Sequence, residues 1–172
     1  IANIWARDPV AMAASARTLA EAAEGRFILG IGVSHRSLVE DVRSHKYAKP
    51  YSYMKEYLSQ MRSALYRSVA PKTEPPLVIA ALHPKMLALA AAEARGTHTA
   101  FCLPEHTKRA REVMGPDAWV CPSVMSILER DATKARARAR QQLSFYANQE
   151  NYQRIFLAQG FSRADFENGC SD

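Results

Sequence analysis

Residues 77–103 read LVIAALHPKMLALAAAEARGTHTAFCL, and this stretch decides the fold class. The apolar run Leu77–Leu82 is typical of a strand that is buried on both faces. A helix is predicted from Pro84, because proline suits the first helical turn, and Gly96 ends it. Thr97–Leu103 then predicts another strand. A strand, a helix and a strand in succession indicate parallel strands joined by a right-handed crossover.

The same alternation continues on both sides of this unit. The other predicted strands are Ile1–Trp5, Phe27–Val33 and Trp119–Leu128, and the other predicted helices begin near Pro9, Tyr51, Pro104, Asp131 and Tyr152. The apolar residues of 34–50 recur at no clear interval, so this segment is predicted as a long loop with at most one helical turn. Five strands in this order predict an α/β fold, either a doubly wound sheet or part of a (β/α)₈ TIM barrel. Ligands bind at the carboxyl ends of the strands in both folds.

Length and composition fit one soluble domain over residues 1–172, since 48% of the residues are hydrophobic and 23% are charged. No apolar run approaches the roughly 20 residues that span a bilayer, and no signal peptide is visible, so we expect no membrane partner. The first residue is Ile1 rather than methionine, so we expect that an N-terminal segment was removed or lies outside the chain. The three cysteines match no zinc or redox spacing. They predict no metal site and a reducing, cytoplasmic location.

The net charge of +6 raises the question of nucleic-acid binding. The densest basic run is Lys134, Arg136, Arg138 and Arg140. Residues two apart on a helix do not share one face, so these four make no stripe, and we predict a solvated helix and no nucleic-acid partner. The positive net charge also suits a small anionic ligand.

Two strand ends stand out as candidate binding sites. Residues 30–35 read GIGVSH, which fails the dinucleotide fingerprint because His35 replaces the third glycine. Two glycines still allow the backbone to approach a flat ring or a phosphate, with Ser34 and His35 at the strand end. The alternative is a strand packed closely against its neighbour, with a surface histidine.

The second candidate is residues 80–84, AALHP, where a strand leads into a helix. Small alanines allow close approach, and the helix N-terminus favours an anion such as a phosphate. The alternative is that His83 begins the helix without any ligand. In the next strand His98 points to the opposite face from Thr97 and Thr99, and a buried, hydrogen-bonded histidine is the commoner case.

Several segments of the sequence resemble the luciferase-like monooxygenase family, in its coenzyme F420-dependent branch. The segments that carry the resemblance are residues 1–9 (IANIWARDP), 25–35 (GRFILGIGVSH), 76–84, 104–116 and the closing 169–172 (GCSD). The resemblance implies a luciferase-like (β/α)₈ barrel that is incomplete, with about the third to the seventh strand present.

The resemblance also implies a set of site residues at the carboxyl ends of the strands. Ile1 and Asn3 would lie near a flavin or deazaflavin ring, and Val33, Ser34 and His35 would border the ring and its ribityl chain. Ala80, Ala81, Leu82 and His83 would hold the chain and phosphate through backbone groups, while Thr97 and Thr99 would face the substrate. His35 is the candidate proton donor, because imidazole titrates near the working pH.

The function that the resemblance implies is hydride transfer between F420 and an unknown organic substrate. One alternative is an FMN-dependent monooxygenase, and another is a non-catalytic barrel remnant that binds or oligomerises. Arg95 stands where relatives commonly carry Asp, and the acidic and imidazole groups of the first two strands lie outside this chain. The unpaired edges of a five-strand arc predict a homodimer or a higher homo-oligomer.

Overall fold

The computed structural model describes residues 1–166, 170 and 171. Strands and helices alternate along the chain, as the sequence predicts. The strands are β1 (Ala2–Asn3), β2 (Leu29–Gly32), β3 (Leu77–Ala80), β4 (Gly96–Ala100) and β5 (Trp119–Ser123). The helices are α1 (Pro9–Ala22), α2 (Arg36–Glu40), α3 (Pro50–Ser63), α4 (Pro84–Glu93), α5 (Pro104–Met114), α6 (Ala132–Ala147) and α7 (Glu150–Ala158), followed by a 3₁₀ turn at Arg163–Asp165.

The five strands form one sheet in the order β1-β2-β3-β4-β5, and the pairs from β1 to β4 are parallel. Each strand lies beside the next strand in sequence, as in successive units of a barrel rather than in a doubly wound sheet, whose strand order reverses. The predicted α/β class and the parallel strands are therefore confirmed.

Local sequence signals explain where most of the elements begin. Oδ1 of Asp8 accepts hydrogen bonds from the backbone N–H groups of Val10 and Ala11, which caps α1. Asp131 caps α6 in the same way. Prolines occupy the first position of α1, α3, α4 and α5, where the missing N–H removes no helical hydrogen bond.

Two boundaries differ from the sequence-based prediction. The predicted loop 34–50 contains the short helix α2. β5 ends at Ser123, whereas the apolar pattern predicts a strand to Leu128. Pro122 has no N–H to donate to a neighbouring strand, and Leu128 is fully exposed. The apolar pattern therefore overestimates the length of the last strand.

One face of the sheet packs against the helices and forms the main core. Ile31 and Ile79 have no exposed surface, and they pack with Met12 of α1 and with Met54 and Tyr57 of α3. Burial of each such side chain stabilises the fold by about 1.5–3 kcal/mol relative to exposure. The opposite face carries smaller residues, and its carboxyl end contains the site described below.

The chain divides into two compact units. The first comprises Ile1–His98 and Ala110–Cys121, and the second comprises Thr99–Arg109 and Pro122–Asp172. Aromatic rings pack within the second unit, where Phe101 lies 4.2 Å from the ring of Tyr146 and 5.2 Å from that of Tyr152. Burial raises the pKa of Cys102 to about 11, so this thiol stays protonated at neutral pH. The single domain over 1–172 stays a prediction.

No helix in the described part of the chain has the length and apolar character needed to cross a membrane. Within the same residues, no three His, Cys, Asp or Glu side chains come together as a metal site. Of the closing segment that contributes to the resemblance, Gly169 and Asp172 lie outside the described residues.

Candidate functional site

Strand register brings four residues into a row, three of them at the carboxyl ends of β1 to β3 and the fourth, His98, in the middle of β4. Asn3 pairs with Gly32, and Ala80 pairs with His98. A Cβ atom built on Gly32 would lie 3.1 Å from the Cβ of Ala80. Gly32 and Ala80 are therefore neighbours, and the two pairs form one row. We call Asn3, Gly32, Ala80 and His98 the mouth row. All four lie in the first compact unit.

The glycines of β2 lie against the chain itself. A Cβ on Gly30 would be 2.6 Å from Cδ1 of Ile1, and a Cβ on Gly32 would be 2.9 Å from Cγ2 of Ile1. The side chain of Ile1 therefore occupies the space that the sequence analysis reserved for a flat ring. Of the two alternatives for these glycines, the contacts with Ile1 favour close packing within the chain.

The turn after β2 adopts a left-handed backbone conformation. Ser34 has a φ of 58°, which costs a residue other than glycine about 1–2 kcal/mol. The carbonyl oxygen of the preceding residue, Val33, accepts a hydrogen bond of 2.9 Å from Nε1 of Trp5. Such conformations persist where surrounding contacts hold them, and they are frequent at binding sites. The turn places the half-buried Ser34 and His35 at the end of β2.

One atom of the Asn3 side chain is hydrogen-bonded within the protein. Its Oδ1 accepts a 3.0 Å hydrogen bond from the backbone N–H of Trp5, which fixes the turn after β1. The assignment of Oδ1 as the acceptor leaves Nδ2 as the amide atom that can donate to a ligand.

The end of β3 differs in one respect from what the resemblance implies. The backbone N–H of Ala81 donates a 3.0 Å hydrogen bond to the carbonyl oxygen of His98, so it is already used within the sheet. Leu82 and His83 are half-buried, and His83 directly precedes α4 without a side-chain capping bond. The N–H of Ala81 is therefore not available to a phosphate, and the role that the resemblance implies for residues 80–83 stays a prediction.

Thr97 lies on the side of β4 that faces away from the mouth row, because side chains alternate between the two faces of a strand. Thr97 pairs with the core residue Ile79, has 0% exposed surface, and donates from Oγ1 to the carbonyl oxygen of Ile79 at 3.1 Å. Thr99 also has 0% exposed surface and belongs to the second compact unit. The substrate contacts that the resemblance implies for Thr97 and Thr99 stay a prediction, and in this structure both side chains are buried.

The same alternation places His98 on the mouth row, a position that the sequence analysis did not assign to the site. The alternation of residues 97–99 is visible in the sequence, but which face bears the core depends on the register with β3. His98 is half-buried. Burial lowers the pKa of its imidazole, and a hydrogen bond to the backbone of Cys121 partly opposes that shift.

Burial also lowers the pKa of His35 below its ordinary value of 6.5. Both imidazoles are therefore mainly neutral at pH 7. Below the ordinary pKa, the unfolded chain binds protons that the folded chain excludes. The stability that these two histidines contribute is complete above about pH 6.5 and is lost as the pH falls through their lower folded-state pKa values.

We expect the melting temperature of the chain to fall between pH 7.5 and pH 5.5, and the double variant His35→Gln/His98→Gln to lose less over the same interval. Circular dichroism melts at several pH values measure both slopes. Since carboxylates titrate mostly below this range, the difference between the two slopes isolates the histidines. Equal slopes in the two proteins would contradict the assignment of the lowered pKa values.

Comparisons with known proteins agree with this architecture. The family model described as luciferase-like monooxygenase matches residues 1–169. Among curated proteins no match was found. One similar solved structure is the coenzyme F420 dependent tetrahydromethanopterin reductase from Methanopyrus kandleri, with 17% identity and a TM-score of 0.64 over 86% of this chain. Another is an F420-dependent secondary alcohol dehydrogenase in complex with an F420-acetone adduct, with 15% identity and a TM-score of 0.69 over 95% of this chain.

The chain spans only part of each of these structures, 55% of the first and 61% of the second. At such low identity the likeness concerns the fold alone. It confirms the prediction of an incomplete barrel of this type, with five strands in the sheet.

Proposed function

Because the chain belongs to the luciferase-like monooxygenase family, we propose that it forms the cofactor-binding edge of an oxidoreductase. The reaction is hydride transfer between the deazaflavin coenzyme F420 and a small organic substrate. The observation that carries the proposal is the set of half-buried polar side chains at the end of β1, after the end of β2 and within β4 of one parallel sheet. The F420 dependence named for both similar structures supports the choice of coenzyme.

The side chains at the strand ends fit a planar, hydrogen-bonding cofactor. Asn3, Ser34, His35 and His98 supply an amide, a hydroxyl and two imidazoles on one sheet and the turn after β2, and all four residues are half-buried. A bound deazaflavin supplies the hydride chemistry, while the protein supplies orientation and electrostatics. The formal net charge of +6 suits an anionic cofactor.

In this proposal His35 holds a proton near the reacting centre. The lowered pKa leaves the imidazole neutral, so at pH 7 it donates a hydrogen bond from one nitrogen and accepts one at the other. Its protonated form, which a general acid requires, becomes common only at pH values below the ordinary 6.5. Asn3 and Ser34 orient the ligand by hydrogen bonds.

A cofactor titration tests the proposal. We expect F420 to bind saturably to the chain, seen as a change in deazaflavin fluorescence, and FMN to give no comparable response. FMN binding accompanied by oxygen consumption would support the monooxygenase alternative. Binding of neither molecule, together with a defined dimer in light scattering, would overturn the proposal in favour of a non-catalytic remnant. A homo-oligomer and a cytoplasmic location stay predictions.

A further inference from the structure

Trp5 connects three separate segments of the first compact unit. Its indole Nε1 donates to the carbonyl oxygen of Val33 at 2.9 Å. Its own carbonyl oxygen accepts a 2.7 Å hydrogen bond from Nδ1 of His45, in the segment between α2 and α3. Its ring stacks on Tyr53 of α3, with centroids 4.1 Å apart and an angle of 17° between the planes. The end of β1 is therefore tied to the end of β2 and to the region that follows α2.

The hydrogen bond to Val33 acts on the turn that presents the proposed ligand contacts. Val33 O belongs to the peptide group that joins Val33 to Ser34, and Ser34 is the left-handed residue. Holding this carbonyl restricts rotation of the peptide group. The direction in which Ser34 and His35 leave the strand then depends on the indole N–H.

The indole itself is held firmly. It stacks on Tyr53 and lies 5.4 Å from Tyr47, whose ring in turn lies under the guanidinium of Arg36. The side chain of Asn3 fixes the backbone of Trp5. An orienting donor is effective when its own position is fixed by packing and by further hydrogen bonds.

We propose that Trp5 is a positioning residue, which holds the Val33–Ser34 peptide through its indole N–H and thereby sets the affinity of the strand-end site. This inference rests on the proposed function for the identity of the ligand. Trp5 need not touch the ligand, because it acts through the backbone of the turn.

The first test removes the indole N–H of Trp5 while it keeps an aromatic ring at this position. Trp5→Phe removes the N–H but retains an aromatic side chain against Tyr53, and Trp119→Phe makes the same change at the other tryptophan, on β5. In hydrogen–deuterium exchange without any ligand, we expect peptides that cover residues 33–35 to exchange about tenfold faster in Trp5→Phe. We expect F420 affinity to fall about tenfold in the same variant, while Trp119→Phe changes neither quantity.

A second test distinguishes positioning from general destabilisation. Glycine adopts a left-handed conformation without the steric cost that serine has. In a Ser34→Gly background the turn depends less on the indole, so the loss of affinity caused by Trp5→Phe should shrink to less than about threefold. A loss that is equally large in both backgrounds would show a merely structural role and would overturn the inference.

A measurement on the unmodified chain covers the case in which Trp5→Phe does not fold. The chain has two tryptophans, so ¹⁵N labelling gives two indole signals, and Trp119→Phe assigns them. We expect the Trp5 indole proton to be protected from exchange and to shift when F420 is added. Rapid exchange of that proton would overturn the inference.

The two proposals fail separately. If the unmodified chain binds no F420, the proposed function is lost, and faster exchange at residues 33–35 in Trp5→Phe still supports the role of the indole in the turn. If F420 binds equally well to both proteins, the positioning role is lost and the proposed function stands.

Discussion

A tryptophan at position 34 is expected to abolish cofactor binding while the chain remains folded. Ser34 is half-buried at the end of β2, between Val33 and His35. Replacement of a hydroxymethyl group by an indole would fill the space in which we propose that the ligand lies. We expect F420 affinity to fall by at least about a hundredfold, equivalent to about 2.8 kcal/mol of binding free energy. Fluorescence titration measures the affinity, and circular dichroism confirms the fold.

The control for Ser34→Trp is the same substitution at Ser44. Both serines are left-handed, with φ of 58° at Ser34 and 56° at Ser44, so both variants place a bulky side chain in the same strained conformation. Ser44 is exposed, in the segment after α2. Ser44→Trp is expected to bind F420 as the unmodified chain does. Unchanged affinity in a folded Ser34→Trp protein would count against the strand-end site.

The substitution with the largest expected effect on stability is Gly96→Ala. A Cβ atom at this position would lie 2.5 Å from the carbonyl oxygen and 2.6 Å from the Cβ of Trp119. Both atoms are at or next to the backbone of β5, so they cannot move without displacing the strand. We expect the free energy of unfolding to fall by about 3 kcal/mol, at the upper end of the usual cost of overpacking. Urea denaturation measures it as a lower midpoint at an unchanged slope.

Gly30→Ala provides the contrast for Gly96→Ala. Its Cβ would also meet a neighbour closely, at 2.6 Å, but that neighbour is Cδ1, the far end of the Ile1 side chain. Ile1 is 63% exposed, so its side chain can rotate away. We expect a loss below about 1 kcal/mol. A similar loss in both variants would mean that β4 and β5 do not approach each other as closely as described.

The order of strands and helices could be predicted from the sequence because each element carries a local signal. Asp8 with Pro9, and Asp131, mark helix starts through groups that cap the first turn. Apolar runs such as 77–82 mark strands that are buried on both faces. Signals of this kind depend on residues that are near one another in the chain, and one sequence is sufficient to detect them.

The side chains that the strand ends present depend on contacts between residues that are distant in the sequence, and one sequence does not show these contacts. No local pattern shows that Ile1 packs against Gly30, or that the indole of Trp5 reaches Val33. The alternation along β4 separates Thr97 from His98, but only the register with β3 shows that Thr97 faces the core. The sequence thus points to particular strand ends, and the register of the sheet shows which face of each strand a given side chain lies on.

The mouth row consists of one residue from each of four consecutive strands, which are connected by the helices and loops between them. The proposed ligand contacts come from β1, from the turn after β2 and from β4, so a molecule that binds all of them would favour only the folded chain. At a free concentration one hundred times its Kd, such a molecule adds about 2.7 kcal/mol to the free energy of unfolding. A cofactor bound as we propose would therefore also protect the chain from proteases, which degrade mainly unfolded chains.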